Sequence, residues 1–364
     1  MNDRVRSGII GAGFIGSVHA HAVRAAGGDL VAVADHSQEA AEEGARRLGA
    51  RFAAESAEGL IASDDVDVVH ICTPNNLHAP LARLALEAGK AVVCEKPLAT
   101  TLNDAVELAA LAAEHGAVTA VPFVYRYYQS ALEARARVRS GDVGQLWLLH
   151  GSYLQDWLST SADVNWRVDA AVGGASRAFA DIGVHWCDLV EFVSGHRITR
   201  LSAQRKTAIN SRESTVEVTT EDIATVQFET DLGAVGSVVV SQVSPGRKNR
   251  LWFSLDGADQ SLSFDQELPE TLWVGSRSHA SVVPRGVTVH RTGSALLTPL
   301  PPGHPQGYQD CFNALVGDVY QAVGASGTEE VPEGMPSFAD GVRAARITQA
   351  VLDSVAGECW VPVG

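Results

Sequence analysis

Residues 5–48 leave few folds open to this chain. An apolar run, VRSGII (5–10), passes into Gly11-Ala12-Gly13-Phe14-Ile15-Gly16, and a helix-periodic stretch, SVHAHAVRAA (17–26), follows at once. A second apolar run, LVAVAD (30–35), ends on Asp35, nineteen residues after Gly16. A bare G-x-G-x-x-G is a weak signal. Set between strand and helix, with an acid closing the next strand, it is the fingerprint of a dinucleotide-binding βαβ unit. Gly11 makes the turn, Gly13 lets backbone approach a diphosphate, and Gly16 packs helix on strand. The helix start offers free N–H groups and the positive end of its dipole to phosphate.

Asp35 is placed to accept from adenosine ribose hydroxyls and to repel a 2′-phosphate. Its neighbours His36 and Ser37 bring no arginine to offset that repulsion, so NAD is expected rather than NADP.

The alternation continues through VDVVHIC (66–72), AVVCE (91–95) and AVTAVPF (117–123), with helical stretches at 37–48, 76–89 and 101–116. Strands and helices at this pace imply an α/β domain with a doubly wound parallel sheet, assigned to residues 1–125. Beyond it the pattern changes. A helix at 127–141, a strand at 145–157 and a helix at 177–194 precede runs of β character: ITRLSAQRKTA, DIATVQFET, AVGSVVVSQV, NRLWFSLDG, QSLSFD and GVTVHRTG. Helices at 308–323 and 337–357 close the chain. Residues 126–364 are therefore expected to form an α+β domain with a large open, mainly antiparallel sheet.

A net charge of −15 and the lack of any Lys/Arg run exclude nucleic acid and anionic membrane as principal partners. A small molecule is the expected partner. The five cysteines (72, 94, 187, 311 and 359) are scattered and odd in number, which suits free thiols better than disulfides or a metal site. No apolar run approaches the ~20 residues that span a bilayer, and no secretory leader is evident, so a cytoplasmic location is expected.

Two further loops follow strands of the first domain: CTPNNLHAP (72–80) and CEKPLAT (94–100). Ligands collect at such strand ends. Lys96, held there with Pro97 after it, can polarise a hydroxyl or carbonyl oxygen. In the second domain, Asp181 and His185 stand four apart and share a face if ADIGVHW (180–186) is helical. Set among apolar residues, an acid and an imidazole are either a hydrogen bond capping a buried helix or a working pair.

The glycine turn at 11–16, TPN with His78, EKP at 95–97 and GGASRAFADIGVHWCDL at 173–189 together resemble the glucose–fructose oxidoreductase / inositol dehydrogenase / MocA (Gfo/Idh/MocA) family. The resemblance runs the length of the chain; one departure is Ala175, where the family usually has a third glycine. It implies an NAD(P)-dependent oxidoreductase of sugars or cyclitols, a cis bond before Pro97, and a homo-oligomer (tetramer or dimer) formed through the second domain's sheet. It places Lys96, Asp181 and His185 on the family's catalytic lysine, aspartate and histidine.

In chemical terms, His185 would act as base, Asp181 as its partner, and Lys96 as donor to the reacting oxygen. Cofactor contacts are expected from Gly11, Gly13, Phe14, Ile15, Gly16, Asp35, Thr73, Pro74, Asn75, His78, Glu95 and Lys96. Substrate contacts are expected from Lys96, Tyr125, Arg126, Gln155, Asp156, Trp166, Arg167, Asp181 and His185, and no metal is invoked. The substrate class is a ring secondary alcohol of a sugar, anhydrosugar, glycoside or cyclitol. The alternatives are glycoside hydrolysis by transient oxidation on bound NAD, and a non-catalytic dinucleotide sensor.

Overall fold

The computed structural model describes residues 4–213, 217–286, 300–324 and 331–364. The chain divides into two compact units. One runs to Val124 and also takes in Gly307–Val342; the other starts at Tyr125 and includes Leu300–Gln306 and Arg343–Gly364. The second domain is thus not the continuous run 126–364 expected from the sequence, because a late segment packs with the first unit.

In the first unit, strands β1 (Arg6–Ile10), β2 (Asp29–Ala34), β3 (Phe52–Ala53), β4 (Val68–Ile71), β5 (Ala91–Cys94) and β6 (Thr119–Ala120) form one sheet of order β3-β2-β1-β4-β5-β6. Every pairing is parallel. The strands read as unbroken apolar runs because helices cover both faces, burying Ile9, Val31, Val33, Val69 and Val93 completely or nearly so. Those helices are α1 (Phe14–Ala25), α2 (Gln38–Leu48), α3 (Ala57–Ala62), α4 (His78–Glu87) and α5 (Leu102–Glu114). Ser37, Ser56 and Thr101 cap α2, α3 and α5 by accepting from a backbone N–H three residues on. Strand order reverses between β1 and β4, so Gly11 and Thr73 flank the crevice where such sheets bind ligands.

The second unit holds α6 (Gln129–Ser140), β7 (Leu146–Leu154), α7 (Ala170–Gly173), a π-helical turn (Phe179–Gly183) and α8 (Val184–Ser194). Then come β8 (Ile198–Lys206), β9 (Ile223–Thr230), β10 (Val235–Ser241), β11 (Arg250–Gly257), β12 (Gln260–Asp265), β13 (Thr271–Ser276), β14 (Ala280–Pro284) and, at the chain end, β15 (Val361–Pro362). They form one sheet, β14-β13-β12-β11-β7-β10-β9-β8-β15. All pairings are antiparallel except the central one, β7 with β10. α8 packs on one face: Trp186 is fully buried, and its indole N–H donates to the Trp252 carbonyl at 2.8 Å. Gly151 permits this approach, since a Cβ there would stand 2.6 Å from Trp186 Nε1. The opposite face exposes Leu148, Val235, Val239, Trp273 and Val282.

Helix α9 (Tyr308–Gly324) lies against α1, and the unit boundary falls within α10 (Phe338–Gly357). The expected strand GVTVHRTG lies, from residue 287 on, outside the described residues. No described helix is long and apolar enough to cross a membrane, and all five cysteines are free thiols.

Candidate active site

The glycine turn takes its shape from its neighbours. Gly11 has φ +97°, donates its N–H to the Ala34 carbonyl at 2.9 Å, and has room for no Cβ, which would stand 2.6 Å from the Cys72 carbonyl oxygen. A Cβ at Gly16 would overlap the Gly11 carbonyl oxygen. Gly13 differs: no protein atom lies within 4 Å of where its Cβ would be. α1 starts there with no side-chain cap and no acid in its first turn, so its leading N–H groups face outward for an anion. Phe14 is exposed beside them. Across the crevice, Thr73 Oγ1 is buried without a hydrogen-bond partner, which a polar ligand would satisfy. These features fit a dinucleotide with its diphosphate on α1.

Asp35 Oδ2 accepts from Ala12 N at 2.7 Å, and Oδ1 accepts from His36 N at 2.7 Å and its ring Nδ1 at 2.6 Å. Burial pushes this carboxyl up, but the donors of Ala12 and His36 outweigh it and hold the group below its ordinary range. The sequence reading missed Gly44 and Arg47. With no side chain at Gly44, α2 closes on Ala12, and Arg47, one turn on, donates to the Ala12 carbonyl and to Ser17 Oγ.

The Lys96–Pro97 peptide is cis. The Lys96 N–H donates to Glu95 Oε2 at 3.2 Å. His78 is buried, with Nδ1 2.7 Å from the Pro97 carbonyl and Nε2 3.0 Å from the Thr73 carbonyl. It braces the TPN and EKP loops against each other. Burial lowers its affinity for a proton, though the two carbonyls oppose this. Asn75 is also buried, in the short 3-10 turn Asn75–Leu77 ahead of α4.

The second unit brings its own set together through the parallel centre of its sheet. β7 and β10 end at the same edge, with Gln155 N bonded to the Ser241 carbonyl, and β11 begins beside them. Tyr153, Gln155, Gln242 and Asn249 therefore converge. Asn249 Oδ1 accepts from Tyr153 Oη at 2.7 Å and from Gln155 Nε2 at 2.8 Å, while Trp157 Nε1 donates to Gln155 Oε1. Tyr125 Oη closes the network on Tyr153 Oη. The Tyr125 ring stands edge-on to His185, centroids 5.0 Å apart, and Tyr153 flanks the same imidazole at 6.4 Å.

Asp181 sits in the π-helical turn rather than in a regular α-helix. Gln242 Nε2 donates to its Oδ2 at 2.7 Å, and Arg167 Nε lies 3.4 Å from Oδ1. Glu221 holds the start of this segment: its Oε1 accepts from Ser176 Oγ and from the N–H groups of Arg177 and Phe179. Asp222 pairs with the buried Arg177 and Arg212.

The remaining substrate candidates separate. Arg167 is tied to Asp181 and lies over the Trp166 ring at 4.3 Å. Arg126 makes a buried bidentate pair with Asp188 and lies over Phe192. Asp156 accepts from Lys248 Nζ and Gly246 N, and Lys248 chiefly holds its carboxyl below the ordinary range. Tyr153, Gln242 and Asn249 escaped the sequence reading because their meeting depends on sheet order.

One unit with a parallel sheet and a phosphate-ready glycine turn, and a second in which a π-helical turn and α8, packed on an open sheet, carry an acid and an imidazole, define a two-domain nicotinamide-dependent oxidoreductase. Residues 5–123 match the GFO/IDH/MocA oxidoreductase family, NAD-binding Rossmann fold, and residues 131–263 match that family's C-terminal domain. The chain belongs to this family and is an NAD-dependent oxidoreductase. Levoglucosan dehydrogenase of Pseudarthrobacter phenanthrenivorans is 31% identical over 393 residues, covering 98% of this chain and 97% of its own. An oxidoreductase domain protein from Kribbella flavida matches the whole of both chains with a TM-score of 0.90 at 32% identity. Levoglucosan dehydrogenase in complex with NADH and levoglucosan matches 99% of each chain, with a TM-score of 0.90 at 30% identity.

Proposed function

We propose that the protein oxidises a ring secondary alcohol of a neutral sugar, anhydrosugar, glycoside or cyclitol. The observation that carries this reading is the His185 imidazole walled by Tyr125 and Tyr153, in the unit where Asp181 is fixed by Gln242 and Arg167. Bound NAD supplies the hydride acceptor. His185 takes the hydroxyl proton, and Asp181 stabilises the imidazolium that results. Lys96 donates to the reacting oxygen as it gains alkoxide character. Gly11–Gly16, Asp35, Thr73 and Asn75 hold the cofactor, while His78 and Glu95 brace the loops around it. Gln155 and Trp166 present an amide and an indole to a polyol.

A neutral substrate is favoured over a phosphorylated one because Arg126, Arg167 and Arg177 are already paired with Asp188, Asp181 and Asp222. We also propose a cytoplasmic homo-oligomer, dimer or tetramer. The free thiols support the location, and the exposed apolar sheet face around Val235, Val239 and Trp273 supports the assembly. The test is NADH formation with a panel of anhydrosugars, inositols, hexoses and glycosides, for wild type beside Lys96→Ala and His185→Ala. A substrate turned over by wild type alone supports the reading. Cofactor binding with no oxidation of any of them rejects it.

A further inference from the structure

Four side chains that take no part in the chemistry above form, with Glu95, one hydrogen-bonded chain through the interior of the first unit. Tyr320 Oη on α9 meets Ser7 Oγ on β1 at 2.7 Å, and Ser7 Oγ meets His70 Nε2 on β4 at 3.2 Å. His70 Nδ1 meets His19 Nδ1 on α1 at 2.9 Å, and His19 Nε2 reaches Glu95 Oε1 at 3.1 Å. Ser7, His19 and His70 are fully buried. Glu95 ends the chain, and its other oxygen accepts the N–H of Lys96.

The chemistry of the links fixes which atom donates. A carboxylate only accepts, so His19 must carry its proton on Nε2. A neutral His19 then presents a bare Nδ1, to which His70 Nδ1–H donates. His70 Nε2 is left bare and accepts from Ser7 Oγ–H, whose oxygen accepts from Tyr320 Oη–H. Every donor has an acceptor in this arrangement.

Protonating Glu95 would reverse every link and turn the Tyr320 hydroxyl proton away from Ser7, its only hydrogen-bond partner among the described residues. Burial keeps His70 from taking a second proton. Burial pushes Glu95 up, but it faces His19 from α1, His78 from α4 and Lys96 beside it, and these together hold it below its ordinary range. The thiols of Cys72 and Cys94, pushed well up chiefly by burial, bring no charge.

We propose that Tyr320, Ser7, His70 and His19 are positioning residues: a tautomer-locked chain that keeps Glu95 an acceptor and so fixes the loop carrying Lys96. This rests on the catalytic part proposed for Lys96. The test uses the full-length protein labelled with 15N-histidine. In wild type at neutral pH, His19 carries its proton on Nε2 and His70 on Nδ1.

Tyr320→Phe keeps the ring that fills the space beside Gly28 and removes only the terminal donor. In this variant the Glu95 carboxyl, followed by 13C-glutamate labelling, titrates about one pH unit higher than in wild type, while NADH affinity, read by fluorescence, is unchanged. Glu95→Gln releases the lock, and both histidines then exchange between tautomers. His70 protonated on Nε2 in wild type, or a Tyr320→Phe variant that loses thermal stability with no movement of the Glu95 titration, would overturn the proposal. Turnover unaffected by Lys96→Ala would instead reject the role of the lysine, leaving the histidine tautomers as a separate result.

Discussion

Gln242 Nε2 donates a 2.7 Å hydrogen bond to Asp181 Oδ2, joining the residue after β10 to the π-helical turn ahead of α8. The amide is fully buried and reaches the acid because β10 runs parallel to β7 and ends at the same edge. Replacing it by leucine leaves a partly buried carboxylate short of one donor. Gln242→Leu should therefore lower kcat about tenfold to a hundredfold while sparing the KM for NAD. Steady-state kinetics with the identified alcohol reads the split, and an unchanged kcat would leave the amide without a role.

The glycines of the turn make different predictions from one another. Gly16→Ala forces a methyl into the Gly11 carbonyl and should cost about 1–3 kcal/mol, seen as a lower Tm without ligand. Gly13→Ala meets no protein atom, so its Tm without ligand should match wild type. Its methyl instead occupies diphosphate space, and calorimetric titration should show NAD affinity falling at least about tenfold.

Asp35 links cofactor choice to pH. Its folded carboxyl lies below the ordinary value of 3.8, so the stability it contributes is full above that value and is lost as pH falls through the lower folded one. The stability gap between wild type and Asp35→Asn, measured by urea unfolding, should hold steady from neutral pH to about 4 and close below it. Asp35→Ser removes the repulsion toward a 2′-phosphate and should raise the ratio of NADP to NAD activity.

Arg126 separates a structural arginine from a substrate one. Its bidentate pair with Asp188 is almost wholly buried. Arg126→Met should destabilise the protein by about 3–5 kcal/mol. Discrimination among sugars, measured as ratios of kcat/KM, should stay as in wild type; a changed ranking would return Arg126 to the substrate site.

The first unit was legible where local pattern carries the physics. The glycine turn, the apolar strands and the helix at 101–116 follow from burial on both faces and from caps such as Thr101. β3 escaped notice because it has two residues, and α3 because it has six. The return of α9 to the first unit has no local signature: a Tyr320 that fits only because Gly28 lacks a side chain is a fact of packing, not of periodicity. In the second unit, Asp181 and His185 stood out as chemistry in apolar surroundings. Tyr153, Asn249 and Gln242 did not, because nothing local distinguishes them until the strand order is known. Arg126 and Arg167 looked available as cations, and only their acids, Asp188 and Asp181, revealed them as engaged.

The parallel junction of β7 and β10 also sets a timetable. A parallel neighbour cannot be reached through a hairpin, and here the intervening chain includes α7, α8, β8 and β9. Tyr153 finds Asn249 only across 96 residues, and Gln155 across 94. On the ribosome, the Asn249 brace on Tyr153 beside His185 must wait for the chain to reach β11, whereas the βαβ unit of the glycine turn closes within its first few dozen residues. The centre of the second sheet is the step at which chain closure delays folding most.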